Sequence, residues 1–96
     1  MQEEVLEFID FRWKDSNAHW LDGNCYWFAH ILCTRFPYLK IIYLPVQGHF
    51  VAGDIEKNIF FDWTGKVHVQ EVPMYLDWIK EHDELWYNHI KRDCID

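Results

Sequence analysis

Four short runs of β-branched and aromatic residues occupy the middle of the chain, and they limit the folds that it can adopt. They span residues 40–44, 49–53, 58–63 and 66–72. Proline, glycine and short polar loops separate them, which is typical of strands joined by tight turns. The sequence therefore predicts an antiparallel sheet of three or four strands.

Helical patterns flank this predicted sheet. Residues 2–14 carry apolar side chains at helical spacing behind an acidic start, and a second helix is expected from residue 24 or 25 to residue 36, just before a proline. The stretch 74–94 suits two short helices, the second capped by Asp83. The predicted fold class is α+β, with N-terminal helices, one carrying Cys25 at its start, packed on the antiparallel sheet and a helical segment at the C-terminal end.

Length and composition predict a single domain that spans residues 1–96. Half of the 96 residues are hydrophobic and 19% are aromatic, which is enough to bury a core in a chain of this size. No linker-like, repeated or low-complexity segment divides the sequence. We therefore expect one compact unit.

The formal net charge of −7 bears on the partners of the chain. It repels nucleic acid, and no cluster of Lys and Arg offsets it, so we expect no nucleic-acid binding and favour a basic protein partner. No apolar run is long enough to span a membrane and no secretion signal is recognisable, so we expect no membrane association. Three cysteines, an odd number, suit a reducing compartment. The expected location is the cytoplasm of a bacterium or of a phage-infected host.

A Cys, a His and an Asp follow one another in positions that suit catalysis. Cys25 opens the second predicted helix, whereas His49 and Asp62 lie on neighbouring predicted strands. If the loop between these strands is 54–57, His49 falls directly opposite Asp62, with Cβ atoms about 5 Å apart. The spacing therefore predicts that the imidazole and the carboxylate meet on one face of a hairpin.

A thiol in the first turn of a helix is activated by the free backbone amides there. In the predicted catalytic triad, Cys25 attacks a carbonyl carbon, His49 moves the proton and Asp62 fixes the imidazole tautomer. His19 and Asn24 are candidate donors to the oxyanion, beside the backbone N–H of the Cys. The product of the first step is a thioester acyl-enzyme, and no cofactor is expected.

The segments around these three residues resemble the papain-like cysteine hydrolase superfamily, including its NlpC/P60-type and transglutaminase-like members. The resemblance covers residues 20–65 and is carried by the helix start at 23–27 and the strands at 48–51 and 61–63. It implies a small bacterial or phage peptidase, amidase, deamidase or related acyltransferase that acts on a protein or peptide-like substrate. His19 stands where such enzymes place an oxyanion Gln.

Other interpretations of the same residues stay open. Cys25 can be an inert core thiol, with His49 and Asp62 matched by coincidence. His30 and Cys33 share a helix face near Cys25, but no second pair of ligands accompanies them, so no metal site is expected. The alternative function is a catalytically inactive interaction protein on the same scaffold, such as an acidic phage-encoded inhibitor of a host protein.

Overall fold

The fold was analysed in a computed structural model, which describes residues 2–13, 25–62 and 64–92. The described part contains four helices and five strands. In chain order they are α1 (Gln2–Trp13), α2 (Cys25–Arg35), β1 (Lys40–Leu44), β2 (His49–Asp54), β3 (Ile59–Asp62), β4 (Gly65–Val67), β5 (Met74–Tyr75), α3 (Leu76–His82) and α4 (Glu84–Ile90). The molecule is therefore α+β, as the sequence predicts.

The sheet is antiparallel and has five strands, where the sequence predicts three or four. Its strand order is β4-β3-β2-β1-β5, so β2 lies at its centre. The extra strand, β5, pairs Tyr75 with Ile42 and Met74 with Tyr43. Two residues are too few to produce an alternating pattern, so the sequence alone does not predict β5, which forms by pairing with β1. The predicted fourth strand, 66–72, is shorter than expected and ends at Val67.

The hairpin of β2 and β3 has a different register from the predicted one. Its turn is 55–58, and the ladder pairs Ala52 with Phe61 and Asp54 with Ile59. Asn58 closes the turn in the left-handed conformation (φ 55°), and its N–H donates to the carbonyl of Ile55 at 3.1 Å. Asparagine tolerates this conformation better than most residues, which explains why the turn ends there. Compared with the predicted ladder, each residue of β2 pairs with a β3 residue two positions further along the chain. Because side chains alternate between faces, a shift of two residues leaves each one on its predicted face.

Both faces of the sheet are buried. The helix-facing side packs Phe50, Ala52 and Phe61 against Phe28 and Leu32 of α2. The opposite side forms a second core cluster of Ile42, Leu44, Val51 and Phe60. The sheet therefore separates two cores, and a side chain on one face does not pack with the other.

The ends of the helices follow local signals in the sequence. α2 stops at Arg35, two residues before Pro37, and α4 begins after Asp83, whose carboxylate accepts a hydrogen bond from the N–H of Trp86 at 3.1 Å. The predicted cap at Asp83 is thus confirmed. Among the residues that the structure describes, no helix has the length and apolar character needed to cross a bilayer.

Candidate functional site

Cys25 is the first residue of α2, as the sequence predicts. The first four N–H groups of an α-helix have no partner within the helix, so the position suits an anionic sulfur. The side chain is only 6% exposed and belongs to the helix-facing core cluster with Phe50 and Ala52. Local sequence therefore places the thiol at a helix start, whereas packing buries it.

His49 and Asp62 lie on the same face of the sheet. His49 begins β2 and pairs with Leu44, and Asp62 ends β3. The β2–β3 ladder pairs Ala52 with Phe61. One residue further in the same register, Asp62 lies opposite Val51 and is therefore diagonal to His49. Diagonal neighbours on one face are about 7–8 Å apart at Cα, which side chains can bridge. The predicted direct opposition is thus replaced by a diagonal one.

Burial and charge act in opposite directions on His49. The side chain is half-buried, and loss of hydration lowers the pKa of its imidazole below 6.5, while the negative charge of Asp62 partly offsets that effect. Burial is the larger of the two influences. His49 and Asp62 therefore interact electrostatically, as the predicted His–Asp pair requires.

Asp62 also has a structural role. Its Oδ1 accepts a hydrogen bond from the N–H of Thr64 at 2.7 Å and a second one from the Thr64 hydroxyl. Side chains of Asp commonly stabilise a turn in this way, two residues before the donor. The carboxylate thus shapes the connection to β4 in addition to facing His49.

The sulfur and the imidazole lie at one end of the sheet but on different sides of it. The ring of Tyr26, next to Cys25, contacts the ring of Phe50 with centroids 5.4 Å apart, and Phe50 is next to His49. Side chains alternate between the faces of a strand, so His49 faces the cluster of Leu44 whereas Cys25 packs with Phe50. The structure therefore brings together His49 and Asp62 and leaves the Cys on the opposite face.

The predicted oxyanion donors belong to the segment between α1 and α2. His19 and Asn24 both lie outside the described residues. Within the part of the chain that is described, no three His, Cys, Asp or Glu side chains form a group that could hold a metal ion.

A second candidate site lies at the other end of the sheet and was missed by the sequence analysis. Three cavities of about 670, 540 and 400 Å³ share Tyr38 as a common wall, and we call their combined surface the acidic face. It includes Lys40 and Asp54, where β1 starts and β2 ends. The acidic face is therefore separated by the length of the strands from His49 and Asp62.

Negative charge dominates the acidic face. Seven carboxylates line the three cavities, namely Glu3, Glu4, Glu7, Asp54, Glu56, Asp77 and Glu81. The cations that line them are Arg35, Lys40 and Lys57. Partial burial and the nearby charge of Glu4 raise the pKa of Tyr38. The net charge of −7 pointed to an acidic surface, but these residues come from distant segments that only the tertiary structure brings together.

Fold and surface together define a small α+β protein with an acidic, aromatic face at one end of its sheet. Residues 6–94 match the model of the Phage YunG-like protein family. The chain belongs to this family, which supports the expected association with phage. No curated protein and no solved structure matches the chain.

The predicted membership of the papain-like superfamily is wrong. The family that matches nearly the whole chain is the Phage YunG-like family, and no finding connects the chain with NlpC/P60-type or transglutaminase-like proteins. The resemblance depended on three short segments around Cys25, His49 and Asp62. Segments this short match between unrelated proteins, whereas the family model extends over residues 6–94.

Proposed function

We propose that this protein binds a basic, extended segment of a partner protein on its acidic face. The observation that carries the proposal is the grouping of seven carboxylates and three cations around Tyr38. Complementary charge steers association and fixes the register of a partner. Three adjoining cavities can receive successive side chains of one extended segment. In a phage family, such a surface suits an inhibitor that occupies a basic region of a host protein.

Aromatic groups on this surface support binding of cations in particular. The guanidinium of Arg35 lies 5.3 Å from the ring centroid of Phe36 and 5.8 Å from that of Phe8, both of which line one of the cavities. A cation over an aromatic ring within about 6 Å is attracted by its quadrupole. The acidic face thus already holds one cation of the chain itself in this manner.

The test is binding of a short oligolysine peptide, compared with the same peptide after acetylation of every ε-amine. We expect the cationic peptide to bind, the acetylated one to bind far more weakly, and the affinity to fall as salt rises to about 0.3 M, where the Debye length is short. Equal binding of the two peptides would reject the proposal.

A matched pair of variants locates the site. Glu4→Gln removes a charge from the acidic face and should weaken oligolysine binding about twofold to fivefold. Glu84→Gln removes the same charge from an exposed residue that lines none of the three cavities and should have little effect. If the two variants weaken binding equally, the peptide responds to net charge and not to this surface.

A second candidate function is thiol-dependent acyl transfer at the other end of the sheet. It is favoured by the position of Cys25 at a helix start and by the electrostatic interaction of His49 with Asp62. His49 would take the thiol proton as the Cys25 sulfur bonds to a carbonyl carbon, and it would pass that proton to the amine that leaves as the C–N bond breaks. Water or another amine would then cleave the thioester. Cys25 lies on the helix-facing side of the sheet, so this chemistry requires the His49 ring to turn past the start of β2 and reach that side.

Alkylation by iodoacetamide tests this chemistry, with the labelled cysteines resolved by mass spectrometry. Burial raises the pKa of Cys33 to about 12, so this thiol is an internal slow reference. A nucleophilic Cys25 should react much faster than Cys33 at neutral pH and lose that advantage in His49→Ala. If Cys25 reacts no faster than Cys33, the thiol is a core side chain and the second candidate fails.

A further inference from the structure

The cavity beside Trp78 differs from the other two cavities of the acidic face. We call it the Trp78 cavity; it has a volume of about 400 Å³. Its lining combines three aromatic side chains, an apolar one, four carboxylates and one cation: Tyr38, Tyr75, Trp78, Ile41, Asp54, Glu56, Asp77, Glu81 and Lys40. Ligand-binding cavities span about 300–1,000 Å³, so this volume lies near the lower end of that range.

Contacts within the fold hold two of the aromatic walls. Trp78 is 47% exposed, and its ring stacks on His82 with centroids 4.6 Å apart and an interplanar angle of 11°. The hydroxyl of Tyr75 accepts a hydrogen bond from the N–H of Ile55 at 3.0 Å, which ties the β2–β3 turn to β5. The cavity therefore has aromatic surfaces that are positioned before any ligand binds, which lowers the entropy lost on binding.

We propose that the Trp78 cavity binds a single cationic side chain, a lysine or an arginine, supplied by a partner protein. The aromatic walls attract the cation through their faces and cover its aliphatic stem, while the carboxylates neutralise the charge. Charge complementarity selects this occupant, since four carboxylates face a single resident cation, Lys40. The inference deepens the proposed function by naming the group that is recognised, and it rests on that function for the partner that carries the group.

Small probes test the cavity separately from the rest of the acidic face. N-acetyl-lysine amide and N-acetyl-arginine amide carry the cation, and N-acetyl-norleucine amide is an apolar control without it. The readout is the indole N–H resonance of Trp78 in nitrogen-edited NMR spectra, assigned with Trp78→Phe. We expect this resonance to shift and saturate with the cationic probes and to stay in place with norleucine. An equal shift with norleucine, or no shift with the cationic probes, overturns the inference.

Two substitutions with opposite expected signs separate binding from a structural effect. Asp77→Asn removes an attracting charge and should lower the affinity for the lysine probe about threefold. Lys40→Met removes the resident cation, keeps most of the aliphatic stem, and should raise the affinity for the probe by about the same factor. Loss of folding cannot tighten binding, so the second variant keeps the test informative. Unchanged or weaker probe binding in Lys40→Met contradicts the inference.

The outcomes for the two proposals are distinguishable. If oligolysine binds with the expected dependence on Glu4 but the lysine probe leaves Trp78 unchanged, the inference fails and the proposed function stands. If the probe shifts Trp78 but oligolysine does not bind more strongly than its acetylated form, the extended binding surface fails and the single-side-chain site stands.

Discussion

His49 carries two opposing influences on its charge, and their balance can be measured. Burial beside Leu44 and Val51 disfavours the imidazolium, and the carboxylate of Asp62 favours it. Burial is the larger influence, so the folded protein holds the neutral ring more strongly than the unfolded chain does. The contribution of His49 to the free energy of unfolding is therefore fully present above the pKa of the unfolded chain, about 6.5. It decreases as the pH falls from there toward the lower pKa of the folded state.

The first prediction concerns Asp62→Asn. This change keeps the side-chain oxygen that accepts from the N–H of Thr64 but removes the negative charge near His49. We expect the pKa of His49 to fall further, because burial then acts unopposed. An NMR titration of the His49 ring measures the change. Asp77→Asn, at the other end of the sheet, is the control and should leave the curve unchanged; a rise in the pKa of His49 in Asp62→Asn would contradict the explanation.

At the scale of the elements, Asp83 joins the last two helices. Its N–H donates to the carbonyl of Ile79 in α3 at 2.8 Å, and its carboxylate accepts from the N–H of Trp86 in α4 at 3.1 Å. The residue therefore ends one helix and caps the next. It is the single residue between Leu76–His82 and Glu84–Ile90.

The second prediction is that Asp83→Ala destabilises the protein by about 1 kcal/mol, since the first turn of α4 loses its side-chain acceptor. Asp83→Ser keeps a capping oxygen and should retain most of the stability. Urea unfolding monitored by far-ultraviolet circular dichroism gives both values. If the two variants lose the same amount, the cap contributes little and the loss has another origin.

The third prediction compares Gly53, within β2, with Gly48, in the turn that precedes β2. A Cβ at Gly53 would lie far inside contact distance of the Ile59 carbonyl oxygen, so Gly53→Ala should destabilise by about 3 kcal/mol through overpacking of the β2–β3 ladder. Gly48 has φ +62°, and a Cβ there meets only the Tyr43 hydroxyl at 4.0 Å. Gly48→Ala should therefore lose only about 1 kcal/mol, from backbone strain. Thermal unfolding of the two variants ranks them, and the reverse order would contradict the β2–β3 register.

At the scale of the whole molecule, the two candidate sites occupy opposite ends of one sheet. The half-buried His–Asp pair lies where β2 begins, and the acidic face lies where β2 ends. Like charges held close together destabilise the compact state, so the acidic face lowers stability in the absence of a partner. Such a loss is common where binding sites are held ready for a ligand.

The fourth prediction follows from this repulsion. Glu81→Gln should stabilise the free protein by about 0.5 kcal/mol at low salt, because Glu81 lies in the Trp78 cavity and near the C-terminal end of α3, where negative charge is unfavourable. Glu84→Gln should have the opposite sign, since Glu84 lies in the first turn of α4. Both effects should shrink at about 0.3 M salt. Urea unfolding at two salt concentrations checks them; equal signs for the two variants would contradict this account.

Much of the fold could be predicted because its signals are local. The start of α2, the bounds of β1 and the cap at Asp83 depend on residues a few positions apart, and the structure confirms them. The apolar character of both faces of the β2–β3 hairpin is likewise a local feature of the sequence, and both faces are buried. The short strand β5 could not be predicted, because two residues carry no periodic pattern and pair only with a sheet already formed.

By itself, the sequence determined the α+β class, the order of the main elements and the acidic character of the chain, since these depend on composition and on neighbours along the chain. The tertiary structure alone decided the displaced ladder that sets Asp62 diagonal to His49, and the face on which Cys25 is buried. It also decided that carboxylates from α1, the β2–β3 hairpin and α3 surround Tyr38. These features depend on contacts between distant segments, and packing free energy, not local propensity, selects among such contacts.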